Sequence, residues 1–447
     1  MISPDVVVVG AGLSGLAAAV SLQQAGAQVQ VIEAAEAPGG MVASAWCDGF
    51  LVERGPATMT TPGAAVMELL EVSGVWNRRI EAAPAARRRW VVHRGGLAEV
   101  PRSPGEFLRS GLLSGRGKLR FLSEALVPRR PATSERSYAA LVRRRFGTEA
   151  LAVLGDAFQA GIYAGDPDTL SAEHAFPRLY AADRQYPSLI RSQLAARRPP
   201  AGLWSFPDGM SDLVTGLCSR LARPVQCPAK VTGVVADGGG WRVESDSGLR
   251  ISTDAVVLAV PPHALKGILR AAALPPDWGR LTQLPHAPVA TVALGYARRA
   301  LKREPGGLGF LVPHEEGLAL LGVAYSSAVH GHRAPPDHVL LTAFLGGIRR
   351  PEIVSQDPDA IVATAIRELT PLLGIRGAPR LACATRFPLG IPQPDLEHAE
   401  RLRTAAQVEH DFPGLVLAGA WQRGTGVTNA LESGLAAAAR TGAMVAA

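Results

Sequence analysis

DVVVVGAGLSGLAAAVSLQQAGAQVQVIEAAEAPGG, residues 5–40, carries the reading on which the fold depends. Val6–Val9 is an unbroken apolar run, as a parallel strand buried on both faces requires. Leu13 to Ala25 is alanine-rich and helical, Gly26 ends it, and Val29 to Glu33 alternates as a second strand. Between the first strand and the helix, Gly10, Gly12 and Gly15 form GxGxxG, with Leu13 and Ser14 opening the helix. Gly10 permits the tight turn, Gly12 lets a pyrophosphate approach backbone, and Gly15 lets helix and strand pack closely. The anion would sit on the free N–H groups of the helix start. Glu33, 18 residues after Gly15 and followed by Ala34, would accept the ribose hydroxyls. GxGxxG alone is a weak signal, but strand, helix, second strand and terminal acid agree, so the segment reads as a dinucleotide site.

At 447 residues the chain is long enough for two or three domains. Hydrophobic residues make up 47% and charged residues 19%, the balance of a globular protein with a large core. The formal charge of +7 is mostly arginine and lacks aromatic-interleaved basic runs, so a nucleic-acid partner is not expected. Cys47, Cys218, Cys227 and Cys383 show no CxxC pair and no zinc-like spacing, so no metal site is expected and a reducing, cytoplasmic setting is. The first residues lack a charged leader and pass straight into a strand, and no run of eighteen apolar residues occurs, so neither secretion nor a membrane span is expected.

From Arg87 to Pro200 the texture is arginine- and leucine-rich and reads as helical. Residues 102–130 hold seven basic and two acidic residues, a net +5. Phe107, Leu108, Leu112, Leu113, Leu119, Phe121, Leu122 and Leu126 recur among them at roughly helical spacing. Such a pattern suits an anionic membrane surface, on the inner face of the cell membrane, and equally a solvated helix face. Residues 231–245 read as a hairpin, and 287–295, 308–312, 318–325 and 338–345 as strands of a second sheet. A strand at 415–418 and an alanine-rich helix from about Asn429 close the chain.

The residues after Glu33 separate NAD from FAD. A glycine pair, Gly39-Gly40, precedes Met41, and FLVERGPAT (50–58) sets Glu53, Gly55, Pro56, Ala57 and Thr58 on a strand and turn. Together with the tail LVLAGAWQRGTGVTNALESGLAAAA (415–439), this resembles the FAD-binding half of the flavin amine oxidase superfamily. Gly419 follows the last strand, and Thr425, Gly426 and Val427 open the last helix, whose N-terminus could face the flavin N1–C2=O edge. The chain starts and ends in one domain, so the middle is an excursion carrying the substrate site. The reading is α/β: a Rossmann-like FAD domain from 1–85, 202–285 and 387–447, a helical basic region at 86–201, and a mixed-sheet substrate domain at 286–386.

Within that superfamily the chain resembles the protoporphyrinogen oxidase family over nearly its whole length. The resemblance rests on RGPAT (54–58), RRRWVVHRGGLAEVP (87–101), FQAGIYAGDPDTLS (158–171), GLGFLVP (307–313), RFPLGIPQ (386–393) and the terminal GxGV turn. It implies FAD-dependent removal of six electrons from a porphyrinogen in three steps, with O2 reduced to H2O2 in haem biosynthesis. The family's propionate-binding arginine falls on Arg89, where a guanidinium can match a carboxylate bidentately. Taken without the resemblance, Arg87, Arg88 and Arg89 read as a solvated charge run. The apolar clamp falls on Leu311, Ala324 and Phe344, which are otherwise plain strand core. Phe387 stands where relatives have a flavin-contacting tryptophan, and Val231 where backbone meets the adenine.

No His or carboxylate stands out as a general base, and the family-implied acceptor for a pyrrole N–H is the Gly161 carbonyl, which asks for glycine where a macrocycle approaches. Met41 replaces a frequent arginine, and TNALESG stands where relatives show an Asp-Cys pair. Three other readings stay open: a coproporphyrinogen III oxidase, an amine oxidase or desaturase, and a flavin-binding scaffold without catalysis. Ala420, where amine oxidases carry an acid, speaks against the second. Oligomeric state is not legible, with a homodimer compatible.

Overall fold

In the computed structural model, residues 3–128, 136–196, 202–269, 277–302 and 306–445 are described. Arg129 and Arg130 of the basic segment lie outside them. The fold is mixed α/β, built on two principal sheets. The first is parallel, in the order Leu415–Leu417, Ala255–Leu258, Val6–Val9, Val29–Ile32. Its central strand Val6–Val9 is wholly buried, which explains the unbroken valine run. The first and last helices, Leu13–Gln24 and Val427–Val445, pack directly on each other. Ser14 Oγ donates to the Ala430 carbonyl at 2.8 Å, and a Cβ on Gly434 would lie 2.1 Å from the Ser14 carbonyl. That approach brings both helix starts to the same edge of the sheet.

The second sheet has seven strands in the order Leu381–Pro392, His286–Ala297, His338–Gly346, Leu320–Ala324, Gly309–Leu311, Trp90–His93, Gly96–Glu99. Strand alternation divides its side chains between two environments. One face, including Val292, Leu294, Phe310, Val323, Leu341 and Ala343, packs against helix Pro358–Leu373. The opposite face carries a single rung running Thr385, Thr291, Phe344, Gly322, Leu311, Val91. Helix Asp156–Tyr163 lies over that face, so close that a Cβ on Gly161 would fall 2.5 Å from Leu311 Cδ2.

Two expectations about boundaries change. The region read as helical contains Trp90–His93 and Gly96–Glu99, which complete the second sheet. The boundary placed between 386 and 387 falls inside Leu381–Pro392, an edge strand that tolerates Pro388 because its outer side needs no ladder N–H. In the basic segment, Leu112 and Leu113 are core and the Phe107 and Phe121 rings pair at 4.9 Å, whereas Leu108, Leu119, Leu122 and Leu126 face outward, 49 to 84% exposed. No helix among the described residues is long and apolar enough to cross a membrane.

Candidate functional site

The three glycines of the first turn have separate jobs. A Cβ on Gly10 would meet the Ala259 carbonyl at 2.6 Å, and one on Gly15 the Gly10 carbonyl at 1.9 Å, so both are fixed by packing. A Cβ on Gly12 would meet nothing within 4 Å; this glycine borders open space at the helix start. The helix has no side-chain cap and no acidic residue in its first turn, which leaves its first N–H groups available to an anion. Leu13 and Ser14 turn their side chains into the core, so only their backbone can serve a ligand.

Around that opening the structure gathers the other dinucleotide-side residues. Glu33 accepts the Ala11 N–H (2.7 Å) and the Ala35 N–H (2.9 Å), one on each carboxylate oxygen, leaving lone pairs for two hydroxyls. Ala34 beside it is exposed. The Gly39 N–H donates to the Ala11 carbonyl at 2.8 Å, and a Cβ on Gly40 would stand 3.3 Å from Gly12 Cα. Met41 is exposed, and its carbonyl would lie 1.9 Å from a Cβ on Gly55, so the turn Gly55, Pro56, Ala57, Thr58 starts against the glycine pair. Val231 is buried in the sheet core; its segment joins Glu33 through the Ala229 N–H, which donates to the Glu33 carbonyl at 2.7 Å. At the other end, the Gly419 N–H donates to Ser433 Oγ (3.0 Å), and Thr425 and exposed Gly426 precede buried Val427 at the last helix start.

The helix-covered face of the seven-stranded sheet carries the residues expected at the substrate, together with Phe387, expected at the flavin. Leu311 and Phe344 share its central rung, both half-buried. Ala324 sits on the adjoining rung opposite Thr342 and Gly309. Phe387 is two residues from Thr385 on the same face. Trp90–His93 alternation puts Arg89 on the side of Val91, at the exposed margin. The arginine triplet is thereby resolved: Arg88 makes a bidentate pair with Glu99 (2.9 and 2.8 Å) and lies over the Trp90 ring, while Arg89 is exposed. Burial of the Leu311 side chain against Gly161 supplies a packing reason for that glycine, in addition to the approach of a ligand.

Gly161 sits in the last turn of its helix. Ala164 follows in the left-handed conformation (φ 49°), so the chain turns away before a fourth N–H reaches the Gly161 carbonyl. Arg349 holds this helix at both ends, donating to Asp156 (2.8 Å) and Asp166 (3.1 Å). Burial favours the protonated Asp166, but the Arg349 guanidinium and the Asp168 N–H outweigh it and lower its pKa.

The two sides meet at Arg54, whose carbonyl accepts Thr291 Oγ1 from the central rung at 2.9 Å. Next to it lies a cluster that sequence reasoning missed. Arg333, 1% exposed, donates to Glu53 Oε1 (2.8 Å), the Ala57 carbonyl (2.9 Å) and Ser205 Oγ. Glu53 also accepts Ser44 Oγ (2.6 Å) and the Met210 N–H (3.0 Å). Burial raises the Glu53 pKa despite the facing guanidinium, and burial lowers that of Arg333. The partners are 280 positions apart, so no local motif could have announced them.

The Rossmann-type edge, with its Gly12 opening, uncapped helix start and Glu33, defines a dinucleotide-binding protein with a second sheet attached. Comparison with known proteins gives the family. Residues 13–441 match the family described as flavin containing amine oxidoreductase. Coproporphyrinogen III oxidase of Bacillus subtilis (strain 168) is 26% identical over 97% of this chain and 96% of its own. The mitochondrial protoporphyrinogen oxidase of Nicotiana tabacum is 30% identical over 97% and 94%. A crystal structure from Exiguobacterium sp. 255-15, assigned as a protoporphyrinogen oxidase, superposes with a TM-score of 0.86 at 25% identity, over 99% of both chains. The chain belongs to the flavin containing amine oxidoreductase family and groups there with relatives named protoporphyrinogen and coproporphyrinogen oxidases. Its cofactor is FAD. The Gly12 opening, the uncapped helix start and Glu33 fit the pyrophosphate and ribose of that group.

Proposed function

We propose that this protein oxidises protoporphyrinogen IX to protoporphyrin IX, removing six electrons with O2 as final acceptor. The observation that carries the reading is the sheet face itself. Leu311, Phe344, Ala324 and Gly322 form a flat, half-buried apolar floor, Arg89 stands at its margin, and the helix bearing Gly161 lies above. The porphyrinogen ring would lie on this floor at Phe344 and Ala324, alongside the point where Gly161 meets Leu311. Arg89 would pair with a propionate, orienting the macrocycle by one bidentate contact. Bound FAD would supply the two-electron acceptor for each step. The Gly161 carbonyl, free of a helical partner, would accept the pyrrole N–H and hold it while the ring loses hydrogen. Thr291, tied to the Arg54 carbonyl, keeps the floor in register with the Gly55–Thr58 turn.

The exposed Leu108, Leu119, Leu122 and Leu126, set among Arg109, Arg116 and Lys118, support docking of this flank on an anionic membrane surface. The deciding experiment mixes the purified holoprotein anaerobically with protoporphyrinogen IX and, separately, with coproporphyrinogen III. Faster flavin bleaching by the first is the expected result. Faster bleaching by the second makes the four-propionate substrate the right one, as the name of the Bacillus subtilis relative would suggest. No bleaching by either overturns the reading.

A further inference from the structure

A cavity of about 170 Å3 runs between Tyr163, two residues past Gly161, and Thr425, at the start of the last helix. His174 and His398 line it, with ring centroids 5.1 Å apart in an edge-on arrangement. His398 is 3% exposed, and its Nδ1 has no hydrogen-bond partner among the described residues. The Trp421 backbone beside it favours a protonated ring, but burial outweighs this and keeps the ring neutral; with the proton on Nε2, the unpartnered Nδ1 is an acceptor. Trp421 Nε1, also buried and on the cavity wall, is an unpartnered donor among the same residues. A buried free donor and a buried free acceptor on one cavity mark it as polar and able to hold water. His174 is half-buried, beside exposed Glu173, so the pair leads from an interior wall to the surface.

We propose that His398 and His174 form a proton exit from the substrate site. This rests on the porphyrinogen reading above. In each two-electron step the substrate would lose a hydride, for which bound FAD would be the acceptor, and a pyrrole N–H bond would break with its electron pair retained to form a C=N bond. The released proton bonds to His398 Nδ1 through cavity water, then passes to His174 and to solvent. Burial holds both rings neutral near pH 7, and the Arg401 charge adds to this at His398. A proton accepted there is handed on instead of stored. The other charged or titratable groups lining the cavity are Glu173, Arg423 and Tyr163, and Arg401 near His398 is paired with Asp395. The positive end of the last helix, at Thr425, directs a proton outward.

The test uses His398→Ala and, at the half-exposed position, His174→Asn, both as holoprotein. Anaerobic bleaching by protoporphyrinogen IX should slow at least tenfold in each, with dithionite reduction unchanged. Added imidazole should restore the His398→Ala rate, which repair of a merely structural defect would not do. Independently, 15N NMR of histidine-labelled protein should show His398 neutral at pH 7 with Nδ1 unprotonated. If the wild type is bleached and both variants keep its rate, or if Nδ1 is protonated, the relay is wrong. If the wild type is not bleached, the porphyrinogen reading has failed instead.

Discussion

Replacing Arg333 with methionine tests whether one buried cation joins the dinucleotide side to the seven-stranded sheet. Arg333 and Glu53 are each almost fully buried, and the guanidinium alone reaches Glu53, Ala57 and Ser205. Methionine fills much of the volume and leaves the Glu53 carboxylate without a countercharge. Removing one member of such a pair costs about 3–5 kcal/mol, most of it the uncompensated charge. With a urea dependence of about 3 kcal/mol/M, the unfolding midpoint should fall by roughly 1 M. The sign with pH comes from Glu53, whose pKa burial already raises. Without Arg333 it would rise further, so the deficit should be largest at high pH and shrink as acid protonates Glu53. In the double variant Arg333→Met/Glu53→Gln the charge is gone while Ser44 and Met210 keep an oxygen acceptor. It should recover at least about 2 kcal/mol of the loss, the coupling expected of direct neighbours. Urea titrations of the four proteins of this cycle at two pH values measure all of this. An additive cycle, or a single variant as stable as the wild type, would refute the reasoning.

Gly161→Ala puts a methyl 2.5 Å from Leu311 Cδ2; turnover should drop with flavin content normal, and adding Leu311→Ala should restore stability more than activity, as melting and steady-state assays would show. Arg89→Lys should raise KM about 10-fold or more with kcat little changed, since one charge-assisted bidentate contact is worth about 1.5–3 kcal/mol. Acid should destabilise the fold through two histidines, because burial depresses His330 to about 3 and His398 to about 4. Between their ordinary value near 6.5 and those values the unfolded chain binds more protons, so stability falls with pH by about 1.4 kcal/mol per unit for each ring. Melting curves from pH 7 to 4.5 read this, and His398→Asn should flatten the slope by about half.

The dinucleotide edge was legible because its parts are contiguous. Gly10, Gly12, Gly15 and Glu33 lie in one strand, turn, helix, strand unit, and local chemistry fixes their relative places. The proposed substrate floor is another matter. Leu311 and Phe344 look like ordinary strand core in sequence, and only the resemblance singled them out; their shared rung depends on pairing register, which the residues alone do not state. Trp90–His93 was hidden by its arginine-rich flank and short length. Pro388, Gly390 and Pro392 carry no strand signal of their own, although an edge strand accepts them. The Arg333–Glu53 pair and the His174–His398 pair join residues hundreds of positions apart, so their meaning appears only when the chain is folded.

One consequence concerns insertions and deletions. In His338–Gly346, Ala343 and Leu345 feed the core under helix Pro358–Leu373, while Phe344 between them faces the opposite side. A one-residue indel early in that strand would swap the two sets, exposing aliphatic core and burying the floor in a single stroke. Point substitutions there can trade activity for stability by degrees, but length changes cannot. Variation in chain length among proteins of this architecture should therefore fall in the connections, while this strand keeps its residue count.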